Sequence, residues 1–182
     1  MIIITSHTNT DFDGFASMVA AQKLNKAAVL LQNGAMSAAL KRFYTFYRHR
    51  FPVLREKEVD FSKVTKAILV DTGIQSLPTG LKKQYESGTL ETAVYNHHAS
   101  AAAGAGTETI KSGACTTYFV LEMMSSGVEI SADEAGLFLL GIYADTGSFM
   151  YPNTAADDLK AAAFLAEKGA NIKMVSDFLR EG

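Results

Sequence analysis

Met1-Ile2-Ile3-Ile4-Thr5-Ser6-His7-Thr8-Asn9-Thr10-Asp11-Phe12-Asp13-Gly14 opens the chain. Three consecutive isoleucines in an apolar run suit a strand buried on both faces. A histidine and two aspartates follow at once. Residues 13–26 then place Phe15, Met18, Val19 and Leu24 at helical spacing. A buried strand that turns through a polar loop into a helix is the first half of a parallel-sheet crossover unit.

The same alternation continues downstream. Residues 28–31 read as a second strand, 36–47 as a helix with a Phe/Tyr-rich face, 64–70 as a third strand and 92–95 as a short fourth. Four more helices are expected at 115–125, 132–143, 154–168 and 172–179. This order predicts an α/β fold: a doubly wound, mostly parallel sheet with helices on both faces. Sites in such sheets open at the carboxyl ends of the strands. His7, Asp11, Asp71, Asn96 and His97 all lie just after an inferred strand.

Composition narrows the function classes. With 182 residues, 48% hydrophobic, and no proline- or serine-rich linker, one domain over 1–182 is expected. Residues 99–106, Ala-Ser-Ala-Ala-Ala-Gly-Ala-Gly, read as a mobile loop beside a histidine pair. A net charge of −2 argues against a general nucleic-acid surface, although a local basic patch is allowed. Arg42, Arg48 and Arg50 are the candidates for one, with His49 among them as a solvated residue. The single cysteine, Cys115, forms no internal disulfide, and no signal peptide is recognisable, so a reducing cytoplasm is expected. The apolar runs fall short of a membrane span.

Three of the four histidines lie in two segments, His7-Thr8-Asn9-Thr10-Asp11-Phe12-Asp13 and Asn96-His97-His98. Asp71 and Asp145 each end an apolar run, and each is followed by Thr-Gly. Taken singly, these features have plain structural explanations. His7 could sit on a surface loop, Asp11 and Asp13 could start the helix, and Asp71 could serve a turn. Asp13, just before Gly14, is placed to open the helix as well as to act as a ligand. Taken together, they are His and Asp ligand types drawn from four stretches, as in a hydrolytic divalent-metal site acting on a phosphate ester or anhydride. A haloacid dehalogenase reading of Asp11-Phe12-Asp13-Gly14 leaves His7 without a role. No Gly-x-Gly-x-x-Gly follows any strand to support a dinucleotide module.

In order and spacing, the four segments resemble the motifs of the DHH phosphoesterase superfamily. That group includes RecJ-type exonucleases, family II inorganic pyrophosphatases, and phosphodiesterases of oligoribonucleotides and cyclic dinucleotides. The segment 5–22 is most similar to the N-terminal module of bacterial proteins with CBS and poly(A) polymerase or tRNA nucleotidyltransferase domains. The resemblance implies two manganese or magnesium ions, the first on His7, Asp11 and Asp71, the second on Asp13, Asp71, His97 and Asp145. Asp71 would bridge them. His98 would contact phosphate or protonate the leaving oxygen. The partner implied is a phosphate-containing small molecule or short oligonucleotide, and a homodimer is allowed. Asn96 departs from the pattern, which has an aspartate there to polarise a histidine, so weakened chemistry or altered metal preference is expected. Further C-terminal domains, including a lid over the cleft, are also implied. A silent metal- or nucleotide-binding regulatory module is the alternative function.

Overall fold

The computed structural model describes residues 1–98 and 106–180. The chain runs β1 (Ile2–Thr5), β2 (Asn9–Thr10), α1 (Phe12–Leu24), β3 (Ala28–Gln32), β4 (Ala35–Met36), α2 (Ala38–Tyr47) and β5 (Leu54–Arg55). It continues through β6 (Lys66–Val70), α3 (Lys82–Glu86), β7 (Glu91–Asn96) and β8 (Thr107–Thr109). Four helices finish it: α4 (Cys115–Ser126), α5 (Ala132–Asp145), α6 (Ala156–Glu167) and α7 (Ile172–Arg180). The main sheet has the order β5-β3-β1-β6-β7-β8, with parallel pairing throughout; β2 and β4 form a separate parallel ladder.

Strand β1 lies in the interior of the sheet, with Ile4 opposite both Leu30 and Ile68. From β1 the chain winds out through β3 to β5. It then returns to β6 on the other side of β1 and winds out again to β8. The winding direction therefore reverses between β1 and β6, where such sheets leave a crevice at their carboxyl ends. His7 and Asp71 follow those two strands.

The isoleucine run divides between two cores. Ile4, Leu30, Ile68 and Val70 face a large core with α1, α2 and α4–α7. Ile3, Leu31, Ala67, Leu69 and Val94 face a smaller one closed by Val59, Val64, Leu77, Leu81 and Leu90. The sheet is thus buried on both faces, but unequally. One face carries six helices, and the other carries short 3-10 turns and the five-residue α3. The long elements match the sequence reading. The short ones (β2, β4, β5 and α3) leave no period to read, since two to five residues complete no repeat. The alanine- and glycine-rich stretch expected to be mobile falls, at 99–105, outside the described residues. No helix among the described residues is long and apolar enough to cross a membrane.

Helix α5 crosses α1 closely because Gly141 has no side chain. A Cβ there would lie 2.8 Å from Ala16 Cβ, 2.8 Å from Thr116 Oγ1 and 3.2 Å from the Phe12 carbonyl. In an open helix Gly→Ala gains about 0.5–1 kcal/mol. Here the clash reverses the sign, because overpacking costs about 1–3 kcal/mol. Gly141→Ala is expected to lower the urea midpoint with little change in slope. A raised midpoint would show that α1 and α5 are not in tight contact.

Candidate metal centre

Each candidate ligand is held by a distinct local device. His7 follows β1, and its ring lies against Gly14, where a Cβ would come within 3.1 Å of Nε2. Asp11 is the N-cap of α1, its Oδ1 accepting from the Gly14 amide at 3.0 Å. Asp71 directly follows β6 with φ +54, a left-handed conformation that costs a non-glycine residue about 1–3 kcal/mol. Its amide donates to the Tyr95 carbonyl at 2.8 Å, which keeps the carboxylate beside β7. His97 and His98 come immediately after β7, and Asp145 is the last residue of α5. The repeated Asp-Thr-Gly tripeptide is not a repeated turn: at the first copy the acid is left-handed, at the second the glycine is, with φ +54 at Gly147.

These side chains converge. His7 Nε2 is 3.6 Å from Asp11 Oδ1 and 3.6 Å from Asp71 Oδ2. His97 Nε2 is 3.1 Å from Asp71 Oδ1, 3.1 Å from Asp145 Oδ2 and 3.6 Å from Asp13 Oδ2. His98 Nε2 is 3.5 Å from Asp71 Oδ1, and the two histidine rings lie 4.1 Å apart. Two groups result, His7–Asp11–Asp71 and Asp71–His97–His98–Asp145, with Asp71 common to both. Asp71 Oδ1 and His97 Nε2 are buried, yet neither makes a well-directed hydrogen bond. Once the imidazole gives up its proton, both atoms are lone-pair donors of the kinds a divalent cation takes.

Asp13 stands apart from both groups. Its carboxylate is fully buried and accepts from the Cys115 amide at 2.8 Å and the Thr116 amide at 2.9 Å. Those are the first amides of α4, whose N-cap, Ala114, has no capping side chain. Asp13 caps that helix from across the fold. The expectation that Asp13 also opens α1 is corrected: Asp11 is the cap, its side chain reaching forward to the Gly14 amide, and Asp13 lies in the first turn. The sequence signal for the Asp13 contact was a helix start with no Ser, Thr, Asp or Asn at its cap.

Asn96 has a different task from the one expected. Its Oδ1 accepts from the His98 backbone amide at 3.1 Å, and no imidazole hydrogen bond to it is recorded among the described residues. The side chain holds the turn that brings both histidines over Asp71. Asp158 is a support that sequence reasoning missed. It is fully buried and accepts from the Gly113 amide at 2.9 Å, the Ala155 amide at 2.7 Å and the Thr117 hydroxyl at 2.6 Å. It therefore fixes the loop leading to the amides that hold Asp13.

The charges are strongly coupled. Hydrogen bonding to Asp11, then to Asp71, pushes the His7 imidazole up to about 10. Burial pulls His97 down, but the carboxylates of Asp145 and Asp71 outweigh it and raise His97 to about 10. Burial also opposes ionisation of Asp71, yet His7, His97 and His98 hold it well below the usual carboxylate range. Burial, with the neighbouring carboxylates, pushes Asp13 and Asp145 up. Imidazolium groups therefore compensate the acids where a cation would otherwise do so.

The fold and site together define a parallel-sheet domain with a histidine–carboxylate cluster at its winding reversal. A family model, the DHH family N-terminal domain, matches residues 1–142, and the chain belongs to that family. It is 35% identical over 185 residues to an A-adding tRNA nucleotidyltransferase of Geobacter sulfurreducens, covering 100% of this chain. It is 33% identical to one of Aquifex aeolicus, covering 99%. The chain spans 21% of the length of each. Its fold resembles that of an exopolyphosphatase-related protein from Bacteroides fragilis, with TM-score 0.79 at 15% identity, covering 100% of this chain and 56% of that one. It also resembles a putative family II inorganic pyrophosphatase from Methanococcus jannaschii, with TM-score 0.73 at 22% identity, covering 99% and 61%.

The Gly113 and Ala155 amides, which can only donate, both meet Asp158 Oδ2, and the Thr117 hydroxyl meets Oδ1. Asp158→Ala, which removes all three contacts, is expected to cost about 1.5–3 kcal/mol in denaturant titration, although the residue lies in neither metal-binding group. A change within about 0.5 kcal/mol would show that the loop is held by other means.

Proposed function

We propose that this domain is a divalent-metal-dependent phosphoesterase that opens a phosphodiester or phosphoanhydride by attack of water. The observation supporting this most strongly is the pair of His/Asp groups hinged on Asp71, with Asp71 Oδ1 and His97 Nε2 buried and unbonded. His7, Asp11 and Asp71 would hold one ion. Asp71, His97 and Asp145 would hold the second, with Asp13 at its edge. Two such ions would supply an acidified water and stabilise charge on the phosphoryl oxygens. Manganese suits the mixed imidazole and carboxylate set, with magnesium next. A cytoplasmic setting fits the single buried cysteine, and a phosphate-containing small molecule or short oligonucleotide fits as substrate.

The remaining tasks fall to named side chains. The His98 side chain is 56% exposed, against 5% for His97, so it faces arriving substrate. It borders both open spaces at the cluster, one of about 410 Å³ with Thr72, Gln75 and Asn96, the other of about 600 Å³ with Lys111 and Tyr151. From there His98 can give its proton to the leaving oxygen. Lys111 offers a positive charge to a second phosphate oxygen, and Asn96 keeps His98 in register.

A regulatory, non-catalytic module is the second reading. It is favoured by Asn96 standing where the family pattern has an aspartate. The relatives named as A-adding tRNA nucleotidyltransferases, of which this chain matches only a fifth, point the same way.

Manganese binding should be coupled to proton release. The imidazoles of His7 and His97 must be neutral to ligate, and both hold protons up to about 10. Apparent affinity should therefore rise with pH from about 6.5 towards that value, by up to roughly tenfold per unit for each proton displaced. Without the ion, these raised groups stabilise the fold fully below about 6.5, and that stabilisation is lost as pH rises through 10. Calorimetry in buffers of different ionisation enthalpy reads the proton count. A heat independent of buffer would contradict the ligand assignment. Asp71→Ala should weaken binding more than Asp145→Ala, because Asp71 serves both groups.

Hydrolysis of a chromogenic phosphodiester with and without manganese tests the activity itself. Asn96→Asp keeps the acceptor for the His98 amide and adds charge beside the cluster. It is expected to raise the manganese-dependent rate by about tenfold. No turnover by either form, with manganese demonstrably bound, would favour the regulatory reading.

A further inference from the structure

A cavity of about 580 Å³ lies between β4, α2 and the segment 53–58, and shares no lining residue with the two spaces at the acid cluster. Four cationic side chains line it, Lys41, Arg48, Arg55 and Lys57, against one carboxylate, Glu58. The chain as a whole has more acidic than basic residues, 19 against 17, so this concentration of positive charge is local. Among the described residues, none of the four is in an ion pair. Of the arginines first considered as a patch, Arg50 is taken by Asp133 at 2.6 Å, whereas Arg48 faces this cavity. Glu58 is occupied by the turn, its Oε2 accepting from the Arg55 amide at 2.7 Å. Arg48, Arg55 and Glu58 all act electrostatically on the Tyr44 hydroxyl, so these charges converge at one wall.

The rest of the lining is not what a bare anion needs. Gln32 donates through Nε2 to the Ala35 carbonyl at 3.1 Å and to Thr10 Oγ1 at 3.4 Å. Its Oε1 is left buried without a partner, an acceptor that lacks a donor. Met36, Val53 and the Tyr44 ring supply apolar wall. Convergent guanidinium and ammonium groups match phosphate oxygens, an apolar wall with a tyrosine ring matches a nucleobase, and the volume lies in the range of small-ligand sites. An inorganic polyphosphate would use the cations and leave the apolar wall idle.

We infer that this cavity binds a nucleoside phosphate, at a site separate from the metal centre and independent of whether that centre hydrolyses anything. The ligand is either a free nucleotide or one residue of a single-stranded nucleic acid, and the two share this chemistry. The test uses the protein in excess chelator, so that the metal centre contributes nothing. AMP is titrated by calorimetry, and a short fluorescein-labelled single-stranded RNA by anisotropy. Saturable one-to-one binding of AMP supports a free nucleotide, whereas RNA binding without AMP binding supports a residue within a strand. In either case Arg48→Ala and Arg55→Ala should each weaken binding by about tenfold or more, on the scale of a lost charge-assisted hydrogen bond. Glu58→Gln should tighten it, and Lys160→Ala, whose ammonium pairs with Asp157 on α6, should change nothing. Arg48 and Arg55 are exposed, so both variants should fold, as circular dichroism can verify. Absence of binding by both probes at millimolar concentration, or binding indifferent to the two arginines, overturns the inference. Inorganic phosphate that competes with AMP as well as AMP itself does overturns the nucleoside part.

Discussion

Negative charge crowded at the ends of β1, β6 and α5 is the constraint on which the rest of the structure depends. Asp13 and Asp71 are almost wholly buried, and Asp145 and Asp11 stand beside them. Carboxylates this close oppose one another, and burial makes each charge harder to keep. The fold answers with imidazoles between the acids and backbone amides behind them. Asp13, the most buried acid of the cluster, has His97 as its one cationic neighbour among the described residues, and it receives two amides and the positive end of α4 instead. Gly141 brings α5, and with it Asp145, against α1. Gly14 leaves room for the His7 ring. Small residues thus bring together charged ones that would otherwise separate.

Much of this was legible in the residues alone, for physical reasons. The three isoleucines at 2–4, β-branched and bounded by a polar loop, suit a strand buried on both faces, and the long helices complete enough turns to show their period. His7, Asp11, Asp71 and His97 sit where chain direction changes after a strand, so topology brings them together. What could not be read is contact without pattern. Asp158 looked like an ordinary residue of an amphipathic helix, because nothing local shows that three donors, two of them from the loop at 113 and the α4 residue 117, will meet it. Asn96 was read as a weakened version of an aspartate that polarises an imidazole; its carboxamide oxygen instead accepts from the His98 main-chain amide, a contact with no signature in residue type or spacing. The basic cavity was hidden because its cations come from α2 and from a segment after Pro52, and converge only in three dimensions.

A net charge of −2 conceals two opposite fields. The acid cluster lies at the crevice between β1 and β6, and the cationic cavity lies towards the β3–β5 side of the same sheet. The two are joined through short polar contacts: Gln32 to Thr10, and Thr10 Oγ1 to the His7 carbonyl at 2.8 Å. Charge separated in this way gives the two ends of the sheet fields of opposite sign, with a range set by the Debye length.

The supports of Asp13 also set an order of events during synthesis. The segment carrying His7, Asp11 and Asp13 leaves the ribosome well before its supports, since the amides that hold Asp13 lie 102 and 103 positions later. The acid that steadies their loop is 45 positions beyond Gly113. Until those parts arrive, a nascent chain displays its acids on a strand and a helix that lack their far partners, and long-range closure of this kind is slow. An ion captured early would meet a loose, wet set of ligands. Only the chain folded through α6 has Asp13 anchored and the crevice in its final shape, so the geometry of the cluster is a property of the assembled domain and of none of its parts.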